Sequence, residues 1–112
     1  MNGLDLALRD AGAAAYAAYG SSADANVRYL TRFRTTDPVV YIQRMDERGM
    51  IVVPQMEHER AVGESPAAVV TRADAGYLEY IKAGESRWRA TAHMIADLAA
   101  GPILVPANFP LA

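Results

Sequence analysis

Apolar and polar residues alternate along this chain in blocks that change period. The first block, Gly3 to about Ala11, sets Leu4 and Leu8 four residues apart on one helical face. Asn2 stands where a cap would sit, with Asp5 three residues on, and Gly12 follows as a left-handed stop. Ala13 to Tyr19 is a compact run of small and aromatic side chains ended by Gly20-Ser21-Ser22. Small side chains suit a strand covered closely on both faces, so this run is expected to be a central strand. Helical spacing returns from about Ala23 to Thr31, where Val27 and Leu30 supply the stripe and Ser22 or Asp24 the cap. It stops before Asp37-Pro38, because a residue preceding proline avoids helical angles.

Val39 to Gln43 and Met50 to Val53 are β-branched, apolar runs joined by the polar stretch Arg44 to Gly49, the pattern of an antiparallel hairpin. Glu57 to Val62 reads as one or two helical turns closed by Gly63, and Ala67 to Val70 as another buried strand. Thr71 with Asp74 forms a capping-box pattern opening a helix to Lys82, with Gly84 beyond it. Ser86 caps the clearest helix, with Trp88, Ala92, Ile95 and Ala99 predicted on one stripe and Arg89, His93 and Asp97 on the opposite one, and Gly101-Pro102 as the stop. Ile103 to Val105 is a last short strand, and Pro106 to Pro110 has the look of a further helix opening. Strands alternating with helices, plus one hairpin, predict an α/β domain whose mixed sheet is covered on both faces.

Composition narrows what this domain can do. With 112 residues, 52% of them hydrophobic, the chain has material for one modest core. The formal net charge of −2 and the scatter of its basic residues leave no electrostatic footprint for nucleic acid or an anionic membrane, so neither is an expected partner. The absence of cysteine excludes disulfides and thiolate metal sites. No apolar run is long enough for a membrane-spanning helix, and a cytoplasmic location is expected.

Candidate chemistry is sparse. The two histidines, His58 and His93, are far apart in sequence. The consecutive Glu57-His58-Glu59 would fan out by about 100° per residue on a helix, so the three cannot face one ion. His93 is four residues from Asp97, which predicts a pair on a polar helix face. There is no Gly-x-Ser-x-Gly elbow, and no predicted strand carries the carboxylates of a two-metal nuclease. Two places are left. The turn Gly20-Ser21-Ser22, between a strand and a helix, could offer backbone N–H groups to a small anion, in a freestanding binding or regulatory domain. The connection Arg32-Phe33-Arg34-Thr35-Thr36-Asp37 places two arginines and an aromatic side chain in a loop, where functional residues gather; its bland reading is a solvated loop with Phe33 tucked inward.

Three stretches carry a resemblance to a known family. Asn26-Val27-Arg28-Tyr29-Leu30-Thr31-Arg32-Phe33 resembles the segment in which the creatinase/prolidase family, including Xaa-Pro dipeptidases and aminopeptidases P, places an Asn followed by Tyr-Leu and then Phe. Met50-Ile51-Val52-Val53-Pro54 with Glu57 and Glu59-Arg60-Ala61 is similar to that family's strand and short helix, and Ile103-Leu104-Val105-Pro106 with Phe109-Pro110 to its late strand. Arg32 stands where the family often has glycine.

The resemblance implies the family's N-terminal domain: a three-layer α/β/α fold with a mixed sheet and RNase H-like topology. It also implies a homodimer, and a substrate-access loop in which Phe33, Arg34, Thr35 and Asp37 are the candidate residues. The family's chemistry, hydrolysis of an Xaa-Pro bond by a hydroxide between two divalent metal ions such as Mn or Co, belongs to a C-terminal pita-bread domain whose ligand motifs have no match here. The chain alone is therefore expected to hold no cofactor and to be noncatalytic. It is also expected to end short of the full N-terminal domain and to have that catalytic domain as its missing partner.

Overall fold

The computed structural model describes residues 3–106 and 109. Its elements are α1 (Gly3–Ala11), β1 (Ala15–Gly20), α2 (Ala25–Thr31), β2 (Val39–Arg44), β3 (Met50–Val53), a 3₁₀ turn (Gln55–Glu57), α3 (His58–Glu64), β4 (Ala68–Thr71), α4 (Tyr77–Lys82), α5 (Arg87–Ala99) and β5 (Ile103–Leu104). The strands form one sheet in the order β4-β3-β2-β1-β5. β2 pairs antiparallel with β1 and β3, whereas β4 runs parallel to β3 and β5 parallel to β1. Only β2 therefore opposes the other four strands, which makes the sheet mixed, as the sequence predicted.

Side-chain alternation along the strands divides the interior in two. Ala15 and Ala17 of β1, Val40 and Ile42 of β2, and Val52 of β3 face Met94, Ile95 and Ala99 of α5. The intervening residues, Ala18, Val39, Tyr41, Ile51 and Val53, face Val27 of α2 and Ala61 of α3 together with Phe33 and Ala67. A period of two along a strand sends neighbours to opposite faces, so a sheet with apolar residues at nearly every position must be covered on both. The alanines of β1 explain how both layers come close: Ala15, Ala17 and Ala18 are at most 1% exposed.

Helix ends follow their local chemistry. Asp24 caps α2 by accepting the Asn26 and Val27 N–H groups, at 2.9 and 3.1 Å. Ser86 caps α5 through the Arg89 N–H at 3.2 Å, and Gly12, at φ 68°, ends α1. The expected cap Asn2 lies outside the described residues, as does most of the stretch expected to open a helix after Pro106.

Several sequence expectations shift. Gly63 does not close α3, which runs through it to Glu64. Thr71 accepts the Asp74 N–H at 3.1 Å, yet the segment makes turns until α4 begins at Tyr77. β4 is a half-buried edge strand rather than a buried one. On α5 the buried residues are Ala90, Thr91, Met94, Ile95 and Ala99, while Ala92 is exposed, so the inward stripe is rotated from the predicted one. Thr91 can lie on it because its hydroxyl donates to the Arg87 carbonyl at 2.8 Å, within the helix.

Candidate functional site

The connection between α2 and β2 is pinned at every second residue. Arg32 turns the chain out of α2 in the left-handed conformation, at φ 53°, and its N–H returns to the Arg28 carbonyl at 2.9 Å. Phe33 then enters the core with no exposed surface. Its N–H donates to Thr31 Oγ1 at 3.2 Å, and the Arg60 guanidinium lies 4.4 Å above its ring. Arg60 also donates to the Arg34 carbonyl at 2.6 Å and is flanked by Glu57 and Glu64 of its own helical segment. Thr35 is buried, and Ser22 fastens it: Ser22 Oγ donates to the Thr35 carbonyl at 2.8 Å and accepts the Thr35 N–H at 3.0 Å. Of the four candidate loop residues, Phe33 and Thr35 thus hold the loop in place, while Arg34 and Asp37 are exposed.

The same clasp bears on the Gly20-Ser21-Ser22 turn. The Ser22 N–H donates to the Thr35 carbonyl at 3.0 Å, the Ala23 N–H to Ser21 Oγ at 3.2 Å, and the Asn26 and Val27 N–H groups to Asp24. Those four N–H groups are already engaged, and the Asp24 carboxylate occupies the end of the helix.

A pocket of about 360 Å³ opens instead one step along the chain. Asp37 and Pro38 form one wall, just before β2 begins, and Tyr19 and Pro54 come from the carboxyl ends of β1 and β3. Arg72, which follows β4, and Tyr77, which opens α4, form another wall, and Arg87 and Thr91 of α5 close it. Arg72 is oriented by a hydrogen bond to the Pro38 carbonyl at 3.1 Å and by the Tyr77 ring 5.6 Å away. The pocket lies outside the carboxyl ends of the parallel strands, the usual place for ligands on open α/β sheets. Asp37 is the one residue common to this pocket and the predicted access loop.

Elsewhere, α4 and α5 are joined by a polar cluster. The Tyr80 ring stacks on His93, with centroids 4.8 Å apart, and its hydroxyl donates to Asp97, which raises the phenol pKa. His93 faces Glu85 at 3.6 Å, so its predicted pairing with Asp97 is replaced: α4 supplies the tyrosine that takes the carboxylate. Among the described residues no three His, Asp or Glu side chains are placed to hold a metal ion.

The family model of the creatinase/prolidase N-terminal domain matches residues 3–101. The chain belongs to that family. Among solved structures, a prolidase from Pyrococcus horikoshii superposes with a TM-score of 0.63 at 18% identity, over 96% of this chain and 26% of that one. The creatinase/prolidase N-terminal domain of an X-Pro dipeptidase from Streptococcus pyogenes gives 0.55 at 18% identity, covering 91% of this chain and 88% of that one. An aminopeptidase P from Streptococcus thermophilus gives 0.57 at 14%, covering 94% and 88%. Among curated proteins none matches the sequence. This creatinase/prolidase N-terminal domain spans about a quarter of the length of the Pyrococcus horikoshii prolidase and 19% of a Pyrococcus furiosus one.

Within this creatinase/prolidase N-terminal domain, the stretch Asn26 to Phe33 forms most of α2, its cap and the first peg of the loop, and Met50 to Ala61 forms β3, the 3₁₀ turn and the first half of α3. Arg32 makes the left-handed turn that ends α2. Arg72, Tyr77 and Arg87 were not singled out by the sequence, because no spacing links them. The signal that could have found them is topological: each sits just beyond a strand's carboxyl end or at the start of a helix facing it.

Proposed function

We propose that this creatinase/prolidase N-terminal domain serves a metal-dependent Xaa-Pro peptidase as a noncatalytic module that supports homodimerisation and limits access to an active site on a C-terminal domain. The observation carrying this reading is the pinned loop from Arg32 to Pro38. Phe33, Thr35, Ser22 and Arg60 fix its backbone, so Arg34 and Asp37 are presented on a preorganised surface rather than a mobile one. A fixed loop with a cation and an anion at its surface can select what passes it. The metal ions, Mn or Co, would be held by the C-terminal domain.

The test joins this domain to a prolidase catalytic domain and follows Xaa-Pro dipeptide hydrolysis. Arg34→Ala is expected to change KM several-fold with kcat nearly unchanged, since only binding on the way in is altered. Identical kinetics in the variant would overturn the access role. Sedimentation of the joined protein tests the homodimer, and a monomer at micromolar concentration would remove that part. The domain alone, supplied with Mn²⁺ or Co²⁺, is expected to leave Xaa-Pro dipeptides uncut.

A further inference from the structure

We infer that the pocket formed by Asp37, Arg72 and Arg87 binds a small zwitterion, a carboxylate and an ammonium a few atoms apart, of the size of an amino acid or dipeptide. Three charged side chains line this one cavity, yet no ion pair within 4.0 Å joins the acid to either arginine. The ion pairs among the described residues instead link residues of the same or adjacent turns, and one joins His93 to Glu85. Opposite charges that line one cavity without pairing are complementary to a ligand that carries both charges.

The donors are available. Arg72 uses one nitrogen, Nη2, on the Pro38 carbonyl, leaving Nε and Nη1 without a partner among the described residues. Arg87, the first residue of the 13-residue α5, has no side-chain partner among them either, and the amino-terminal end of that helix adds to the positive potential. A guanidinium fork matches a carboxylate in two-point geometry. Asp37 disfavours a simple anion and would accept an ammonium. Its N–H is held by Thr35 Oγ1 at 3.2 Å, which fixes the backbone while the carboxylate has no partner among the described residues. The rings of Tyr19 and Tyr77 provide apolar walls for a side chain. A volume of about 360 Å³ lies at the small end of ligand sites, which run from roughly 300 to 1,000 Å³, the scale of a small metabolite rather than an extended peptide.

The site is tested on the domain alone, so its failure is separate from failure of the access role. Two-dimensional NMR would follow titration with L-leucine, N-acetyl-L-leucine and L-leucinamide. L-leucine is expected to give saturable shifts around Tyr19, Tyr77 and Arg87. The two derivatives, each lacking one charge, are expected to bind about tenfold more weakly, the effect of losing one charge-assisted hydrogen bond. Arg87→Gln and Asp37→Asn should each weaken L-leucine by a similar factor, and Asp37→Asn should bring N-acetyl-L-leucine level with L-leucine. Arg89→Gln, whose side chain is engaged by Glu85, should leave binding unchanged. No saturable shift with L-leucine, or equal affinity of the wild-type domain for all three compounds, would overturn the inference.

Discussion

Single residues set the shape of the loop between α2 and β2. Arg32 sits in the left-handed region, where a Cβ is disfavoured by about 1 kcal/mol or more. Arg32→Gly is therefore expected to stabilise the domain by about 0.5–1 kcal/mol, read as a higher urea midpoint; a lower one would mean that the arginine side chain is needed there. Ser22→Ala removes both side-chain bonds to Thr35 and leaves a half-buried N–H unpaired, a loss of about 1–2 kcal/mol in the same assay. Tyr41 ties stability to alkaline pH. Burial, then the charge of Tyr16, raises its phenol pKa above the ordinary 10.0, and its hydroxyl donates to Gln43 at 2.6 Å. The unfolded chain loses the proton first, so this stabilisation is complete below pH 10 and falls as pH rises through the higher folded value. Tyr41→Phe should be less stable at neutral pH by about 1 kcal/mol and should lose less stability between pH 9 and 11, measured by denaturant titration.

At the scale of elements, β1 and α5 show what the sequence does and does not disclose. β1 was legible because a run of alanines and tyrosines bounded by Gly20 suits few places other than a strand pressed from both sides. Ala17, with no exposed surface, meets the α5 layer. Ala17→Leu is expected to overpack it and cost about 1–3 kcal/mol, with the loss visible as a lower thermal midpoint. The facing of α5 was not legible, because its inward stripe includes Thr91, whose polarity is hidden by a bond within the helix. Trp88 is the other reason: it packs edge-on against Tyr19, with centroids 5.3 Å apart, and against Phe109 at 5.8 Å, at the margin of the core. The His93 and Asp97 partners were hidden for a related reason, since Tyr80 reaches them from another helix.

At the scale of the whole molecule, the layered fold could be read from the chain because each element announces itself locally, by period, cap and turn. The pocket could not. Asp37, Arg72 and Arg87 are brought together only once β4 has been laid parallel beside β3 and α5 packed across the sheet. The loop between α2 and β2 was half legible: the arginines and Phe33 marked it, whereas the clasp from Ser22 to Thr35 depends on how α2 folds back.

β2 has a consequence for how the domain comes apart. Val40 and Ile42 belong to one interior and Val39 and Tyr41 to the other, and five of its six residues are buried. It is a wall shared by two rooms, and neither room can be emptied while the wall stands. Heat should therefore collapse both together, in one calorimetric transition with equal van't Hoff and calorimetric enthalpies. The β2 amides should be the last to exchange with solvent, opening only when the entire structure does.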